Sequence, residues 1–300
     1  MDRIKIEEIE YLAEILEKSP RDSLLKIAKR EGIDYYKLKR LYDKYYGKYV
    51  HVSAIYDIAK LGLKSYVAFL SVPREEIRRV ALQMARNPFI PSIAAIFGFK
   101  NGISAVLHIP KEQTNLIEEL LSKYSDDYEY YEVRAYPERP IEFGDWNLSY
   151  DYAVLMDILK YDARTSLTKM SELLGKSRPT ISYMIKKLEE TGIIRRYSAL
   201  IDITAYDRGF CGITDELSEK LLEKFRNYEI LIGILKPHGY LVEWYFSSKE
   251  DIGARIFEFS RYVKKFAIYY FDLLKGIEPN YKFAERVKKD GSGYRSILEF

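Results

Sequence analysis

The 300-residue sequence is 47% hydrophobic and 31% charged, with a formal net charge of +3 and one cysteine. That balance excludes a disordered chain, no apolar run of about 18 residues provides for a membrane span, and the acidic opening MDRIKIEEIEYL does not read as a signal peptide. Cys211 has no internal disulfide partner, and the abundance of Lys, Glu, Ile and Tyr leads to the expectation of a cytoplasmic, heat-adapted protein.

From the start of the chain, Ile9, Leu12, Ala13 and Leu16 recur at helical spacing, and Pro20 stops that helix. A second helix spans about Ser23–Arg30 and ends at Gly32. A third is capped by Asp34, with Leu38, Leu41 and Tyr45 as its inward stripe and Gly47 at its end. A strand follows over Tyr49–Asp57. Next come a strand at Leu63–Val72, a helix opened by Pro73, strands at Pro91–Phe97 and Ser104–Ile109, a helix at Lys111–Lys123 and a strand at Tyr128–Tyr136. This βαββαβ order predicts a ferredoxin-like sandwich.

Pro137, Pro140 and Gly144 mark a linker, after which the programme restarts. Tyr152, Leu155, Met156 and Leu159 stripe one helix, Ser166–Leu174 forms a second, and Arg178–Thr191 a third behind the cap Ser177. A strand is expected at Ile193–Asp202. The second sandwich reads as a strand near Gly209–Ile213, a helix at Leu217–Tyr228, and a hairpin of Ile230–Leu235 and Tyr240–Phe246. A helix at Lys249–Tyr262 and a strand at Phe266–Leu274 complete it.

The predicted class is therefore α+β, with two winged helix-turn-helix domains (1–50 and 150–200) alternating with two ferredoxin-like domains (51–138 and 201–282). The linker is 139–149, and 283–300 reads as a polar tail. The halves also agree residue by residue. A shift of 143 matches Leu12/Leu155, Ile15/Ile158, Leu16/Leu159, Arg21/Arg164, Ser23/Ser166, Leu24/Leu167, Lys26/Lys169 and Gly32/Gly175; a shift of 145 matches Ser53-Ala54/Ser198-Ala199 and Asp57/Asp202. A period this long is an internal duplication, not a solenoid repeat of about 20–50 residues.

Charge is concentrated at matching places. Lys26–Lys48 carries eight Lys/Arg against three Asp/Glu, and Lys176–Arg196 carries six against two. Two basic patches suit two phosphate-contacting surfaces. In the second unit, Ile181, Met184, Ile185 and Leu188 pack inward, leaving Arg178, Thr180, Ser182 and Tyr183 to meet base edges beyond the cap Ser177. Lys186 and Lys187 are placed to contact phosphate, with Arg195 and Arg196 as a basic wing. The equivalent surface of the first unit is Tyr35, Lys37, Lys39, Arg40 and Lys44. Two unlike helices predict an asymmetric site on double-stranded DNA.

The run DILKYDARTSLTKMSELLGKSRPTISYMIKKLEETGIIRRYSALID, residues 157–202, resembles the winged helix-turn-helix of the Lrp/AsnC transcription regulators. The shared points are Ile158-Leu159, Asp162-Ala163-Arg164, Leu174-Gly175, Ser177, Ile181, Lys187-Leu188-Glu189-Glu190 and Gly192-Ile193-Ile194. The resemblance implies a DNA-binding regulator that needs no cofactor or metal and pairs through its ferredoxin-like domains, within the chain or between chains. Two fused units depart from the family's single ones. The family's Gly-x-x-Asp effector turn corresponds to Gly98-Phe99-Lys100-Asn101, with Asn101 in place of the acid, and in the second unit to the turn around His238 and Gly239. A small-molecule effector at Gly98, Lys100, Asn101, His238 and Gly239, or no effector, are both left open.

No Walker loop, HExxH, CxxC or GxSxG is present, so no enzyme is expected. His51 and His108 lie on predicted strands as structural residues, while His238 sits in a turn. Two alternatives remain. One is a tetrapyrrole enzyme similar in fold to the siroheme decarboxylases, which would recruit His238, His108, Arg255 and Arg261. The other is a regulator whose tyrosine-rich first head grips a protein while only the second reads DNA.

Overall fold

The computed structural model describes residues 6–201, 208–224, 230–246 and 253–300. In chain order the first half contains α1 (Ile6–Lys18), α2 (Leu24–Glu31), α3 (Tyr35–Tyr45), β1 (Val50–Tyr56), β2 (Leu63–Ser71), α4 (Ile77–Arg86), β3 (Ser92–Gly98), β4 (Gly102–Pro110), α5 (Ile117–Ser122) and β5 (Tyr128–Ala135). The second half contains α6 (Tyr150–Tyr161), α7 (Leu167–Leu174), α8 (Arg178–Glu190), β6 (Ile194–Ile201), β7 (Arg208–Thr214), α9 (Glu219–Lys224), β8 (Ile230–Lys236), β9 (Tyr240–Phe246), α10 (Gly253–Phe259), β10 (Lys265–Tyr270) and the single-turn α11 (Phe283–Arg286). Parts of three predicted elements, namely Asp202, residues 225–228 and residues 249–252, lie outside the described residues, as does the side chain of Arg255.

The described residues of Met1–Leu61, Trp146–Ile203 and Phe283–Gly293 form one compact unit, and the remainder form a second. In the first unit, α1 turns its apolar face inward through Ile9, Leu12, Ala13 and Leu16. Ile27 and Ala28 of α2, with Leu38 and Tyr45 of α3, meet that face, while Leu41 is only partly covered. Each fully buried aliphatic side chain here contributes about 1.5–3 kcal/mol. The second head repeats the arrangement with Leu155, Met156 and Leu159 of α6, Met170 of α7 and the stripe of α8.

The heads share a ladder. β1, which the sequence segmentation divided between 1–50 and 51–138, pairs antiparallel with β6, and Ser53 lies opposite Ser198. These are the two serines that the shift of 145 relates. An antiparallel ladder centred on equivalent residues is the arrangement of an isologous two-fold contact.

The second unit is a closed eight-stranded barrel in the order β10-β3-β4-β2-β5-β8-β9-β7. Its two halves run β3-β4-β2-β5 and β8-β9-β7-β10, so the strands follow the same order in each. They close through β5 on β8 and β10 on β3. Strand alternation divides the residues: Val67 and Phe69 join Ile96, Cys211, Leu241 and Tyr269 in one core, while Tyr66, Ala68 and Leu70 pack under α4 and α5. Phe210, Val242 and Trp244 pack with Leu221 of α9 and Phe259 of α10.

Several expected elements differ in the structure. The helix expected at Lys111–Lys123 begins as 3-10 turns over Lys111–Leu116, and only Ile117–Ser122 is α-helical. There Thr114 Oγ1 returns to the Lys111 carbonyl at 3.5 Å, and Gln113 engages Arg295 O and Ile297 N. The helix opened by Pro73 also starts with a 3-10 turn, Arg74–Glu76. The last strand stops at Tyr270, and Phe271–Leu274 coils so that Leu274 enters the core under α4 and α5.

The expected polar tail is also ordered structure. Asp157 of α6 accepts from the amides of Phe283 and Ala284 at 2.7 and 2.9 Å, and Phe283 and Arg286 are buried. In the second unit the final residues strap the β3-β4-β2-β5 half of the barrel: Ile297 is fully buried, Asn87 Nδ2 donates to its carbonyl at 2.9 Å, and Phe300 packs edge-on to Phe89.

Candidate nucleic-acid interface

The second head is set by its caps. Ser166 accepts from the Lys169 amide at 3.2 Å at the start of α7, and Gly175 ends that helix in the left-handed conformation (φ 63°, ψ 29°). Ser177 accepts from the Thr180 amide at 3.3 Å, and Pro179 occupies the first turn of α8, where a missing N–H costs nothing. With Ile181, Met184, Ile185 and Leu188 buried, helical geometry leaves Arg178, Thr180, Ser182, Tyr183 and Lys186 exposed. Tyr183 is 64% exposed, a large aromatic on the outer face of the helix.

The predicted contacts are not equally available. Thr180 Oγ1 lies 2.8 Å from the capping Ser177 hydroxyl, so both are engaged with one another. Lys186 pairs with Glu190 at 3.4 Å on the surface. Lys187 is half-buried, its ammonium 5.5 Å from the centroid of the Tyr152 ring, so it belongs to the joint between α6 and α8 more than to the outer face. Arg178, Arg195 and Arg196 are exposed. Lys176, although counted in the basic segment, is paired with Asp151 at 2.7 Å.

The first head has the same frame. Ser23 accepts from the Lys26 amide, Gly32 sits at φ 64°, ψ 29°, and Asp34 accepts from the Lys37 amide at 2.8 Å. The surface it presents is different. Lys39 pairs with Asp43 at 2.5 Å, and Lys44 reaches Glu8 at 3.3 Å and lies over the Tyr45 ring. Lys37 and Arg40 are exposed, with no ion pair among the described residues. Tyr35 is half-buried and packs edge-on to Tyr36, which is 73% exposed. At the positions of Arg195 and Arg196 the first head has Val50, which is buried, and His51, so it has no basic wing.

Of the turn residues considered for an effector, Gly98, Lys100 and Asn101 are engaged within the sheet. Lys100 is ion-paired with Asp127, whose carboxyl is held below its ordinary range first by that lysine and then by the Ser71 hydroxyl. Asn101 Oδ1 accepts from the Gly98 amide at 3.2 Å. A Cβ on Gly98 would lie 2.2 Å from the Phe266 carbonyl oxygen, so glycine is required there by the approach of β10. Gly239 turns at φ 113° beside an exposed His238.

His108 Nδ1 lies 2.9 Å from the Tyr281 hydroxyl. Cys211 is buried, and burial pushes its thiol up to about 12. Among the described residues no group of three or more His, Cys, Asp or Glu could hold a metal ion, and no helix is long and apolar enough to cross a membrane.

Sequence reasoning missed the residues that join the heads: Arg164, Asp162, Tyr46 and Tyr197. The recurrence of arginine at 21 and 164 was the available signal.

A family model described as winged helix-turn-helix DNA-binding matches residues 150–195. The HTH-type transcriptional regulator LrpA of Pyrococcus abyssi is 35% identical over 91 residues, 29% of this chain and 64% of LrpA. An uncharacterized HTH-type transcriptional regulator of Pyrococcus furiosus is 34% identical over 71 residues, 24% of this chain and 44% of that protein. The chain thus spans from under half to just under two thirds of the length of these relatives. Among solved structures, the siroheme decarboxylase NirDL superposes with a TM-score of 0.61 at 18% identity, covering 88% of this chain and 90% of NirDL, a likeness of fold. Capped helices, a left-handed glycine turn and an exposed donor-bearing face coincide with the matched segment: the second half of the chain carries a winged helix-turn-helix similar to that of the LrpA regulator.

Proposed function

We propose that this chain is a sequence-specific, double-stranded DNA-binding transcription regulator, a fused pseudo-dimer of two units that each join a winged head to a ferredoxin-like domain. The observation that carries the reading is α8: its exposed face bears Arg178, Ser182, Tyr183 and Lys186 within the segment matching a DNA-binding family. The duplication is supported by the common strand order of the two sandwiches, by Ser53 facing Ser198, and by the near-identical turns at Gly32 and Gly175. Cations supply affinity through counterion release, and the neutral donors of α8 supply base choice. An effector at the 98–102 turn would have to draw Lys100 away from Asp127.

The test is fluorescence anisotropy of the purified chain with labelled duplex DNA across a salt series. Binding that weakens linearly in log–log form is expected. No binding at the lowest ionic strength would end the reading.

The fold likeness to NirDL favours a second reading, a tetrapyrrole enzyme. Against it, His108 is engaged with Tyr281, and Arg261 lies over the Phe257 ring at 4.5 Å. A porphyrin-like absorbance that titrates onto the purified chain, without DNA binding, would favour the enzyme.

A further inference from the structure

Arg164 belongs to the second head, in the turn after α6, but its guanidinium serves the first. Nη1 donates to the Pro20 carbonyl at 2.8 Å and leans toward that of Ser19 at 3.5 Å, while Nη2 donates to the Asp22 carbonyl at 2.8 Å. Its Cζ lies 5.4 Å from the centroid of the Tyr42 ring, on α3. Neighbouring bonds cross the same joint. The Tyr46 hydroxyl donates to Asp162 Oδ1 at 2.5 Å and accepts from the Val52 amide at 3.3 Å, and the Ala163 amide donates to the Val52 carbonyl at 2.7 Å.

The duplicate arginine does the reverse. Arg21 of the first head donates to the Tyr197 hydroxyl at 3.3 Å and lies 5.7 Å from that ring's centroid. Tyr197 in turn donates to Glu189, near the end of α8, at 2.6 Å. Arg164 thus lies against α3 through Tyr42, and Arg21 reaches α8 through Tyr197, each from the opposite head.

We propose that Arg164 and Arg21 are reciprocal positioning residues that fix the separation and orientation of α3 and α8, so that the chain measures the distance between two half-sites. This rests on the reading that both heads engage one duplex. Arg164 carries the larger share. It makes charge-assisted bonds to carbonyls in a fixed fork while its charge lies over an aromatic ring, a combination a lysine cannot reproduce. The β1–β6 ladder, and the core in which Ala163 joins the first head, are built without the Arg164 side chain, so its loss loosens the pose of α3 while the heads stay folded.

The experiment uses duplexes selected by the wild-type full chain from a random-sequence pool. They are rebuilt with zero to about ten base pairs, one helical turn, inserted between the two footprints, and with one footprint scrambled. Wild type should lose about tenfold in affinity at a half-turn insertion and recover near a full turn, because simultaneous engagement is lost and regained. Arg164→Gln should reduce that penalty to less than about threefold while leaving the single-footprint affinity within about twofold of wild type. Arg164→Lys should fall between them.

If R164Q fails to fold by circular dichroism, Arg21→Gln and R164K carry the same comparison. A spacing profile identical to wild type overturns the proposal and leaves the DNA reading intact. So does a uniform loss at every spacing, which marks a merely structural arginine. A wild type that binds no duplex, or binds without regard to spacing, removes the foundation and the proposal together.

Discussion

Single side chains on α8 divide into two kinds by what they can reach. Arg178 stands exposed at the start of the helix, and a bidentate contact to guanine from such a position is worth about 1–3 kcal/mol. Arg178→Ala should therefore cost that much against one base pair of a selected site and little elsewhere, as measured on single-substitution operators. An equal loss on every operator would reassign Arg178 to the backbone. Lys186→Ala should flatten the salt slope by about one unit at all sequences. Lys187→Ala should change it less, because that ammonium already lies over Tyr152.

Lys160 is a different case. Burial first, and Arg286 second, bring its pKa down to about 7, far below an unfolded lysine. The folded state therefore binds fewer protons than the unfolded state between about pH 7 and 10.5. Stability rises with pH across that window, and the cost is fully present below pH 7. Lys160→Met should raise Tm at pH 6 by at least about 2–4 °C, the equivalent of about 1 kcal/mol, and the gain should shrink by pH 9.5. A gain independent of pH would show that packing, not charge, is responsible.

At the level of elements, helix boundaries were legible because cap residues announce them. Ser166, Ser177, Asp34, Gly32 and Gly175 all act as their side-chain chemistry and backbone freedom require. Nothing lies within 4 Å of a Cβ built on Gly175, so Gly175→Ala should lose about 1–2 kcal/mol in denaturant unfolding through backbone strain alone. Gly175→Asn should lose less, and equal losses would point to packing.

Elements governed by distant partners were not legible. Leu274 extends an apolar run that reads as strand, yet it turns away because a core formed by other segments receives it. Gln113 and Thr114 look helical until the C-terminal strap claims one and a backbone carbonyl the other. The exposure of most candidate contact residues was legible, but not their pairings. Lys44 and Lys39 read as cations of the reading face, and the fold spends them on Glu8 and Asp43. Lys37→Ala with Arg40→Ala thus tests the first head, and unchanged DNA affinity would favour a protein-gripping role for it.

Across the whole molecule, long-range pairings dominate. β1 finds β6, β3 finds β10 and β5 finds β8, each between strands from opposite halves of the sequence. The final residues add Ile297, fully buried and reached by the Asn87 side chain. Ile297→Ala should cost about 2–4 kcal/mol by the transfer and cavity terms, read from the denaturation midpoint.

Those three cross-half ladders carry a liability as well as a plan. Taken alone, either half would expose a rim of unsatisfied amides and carbonyls where the other half's strands now pair, the chemistry of strand exchange and aggregation. Tethering the complementary rims on one polypeptide keeps each within reach of its proper mate at millimolar local concentration. The open strand edges of each half are thereby satisfied before a neighbouring molecule can compete for them.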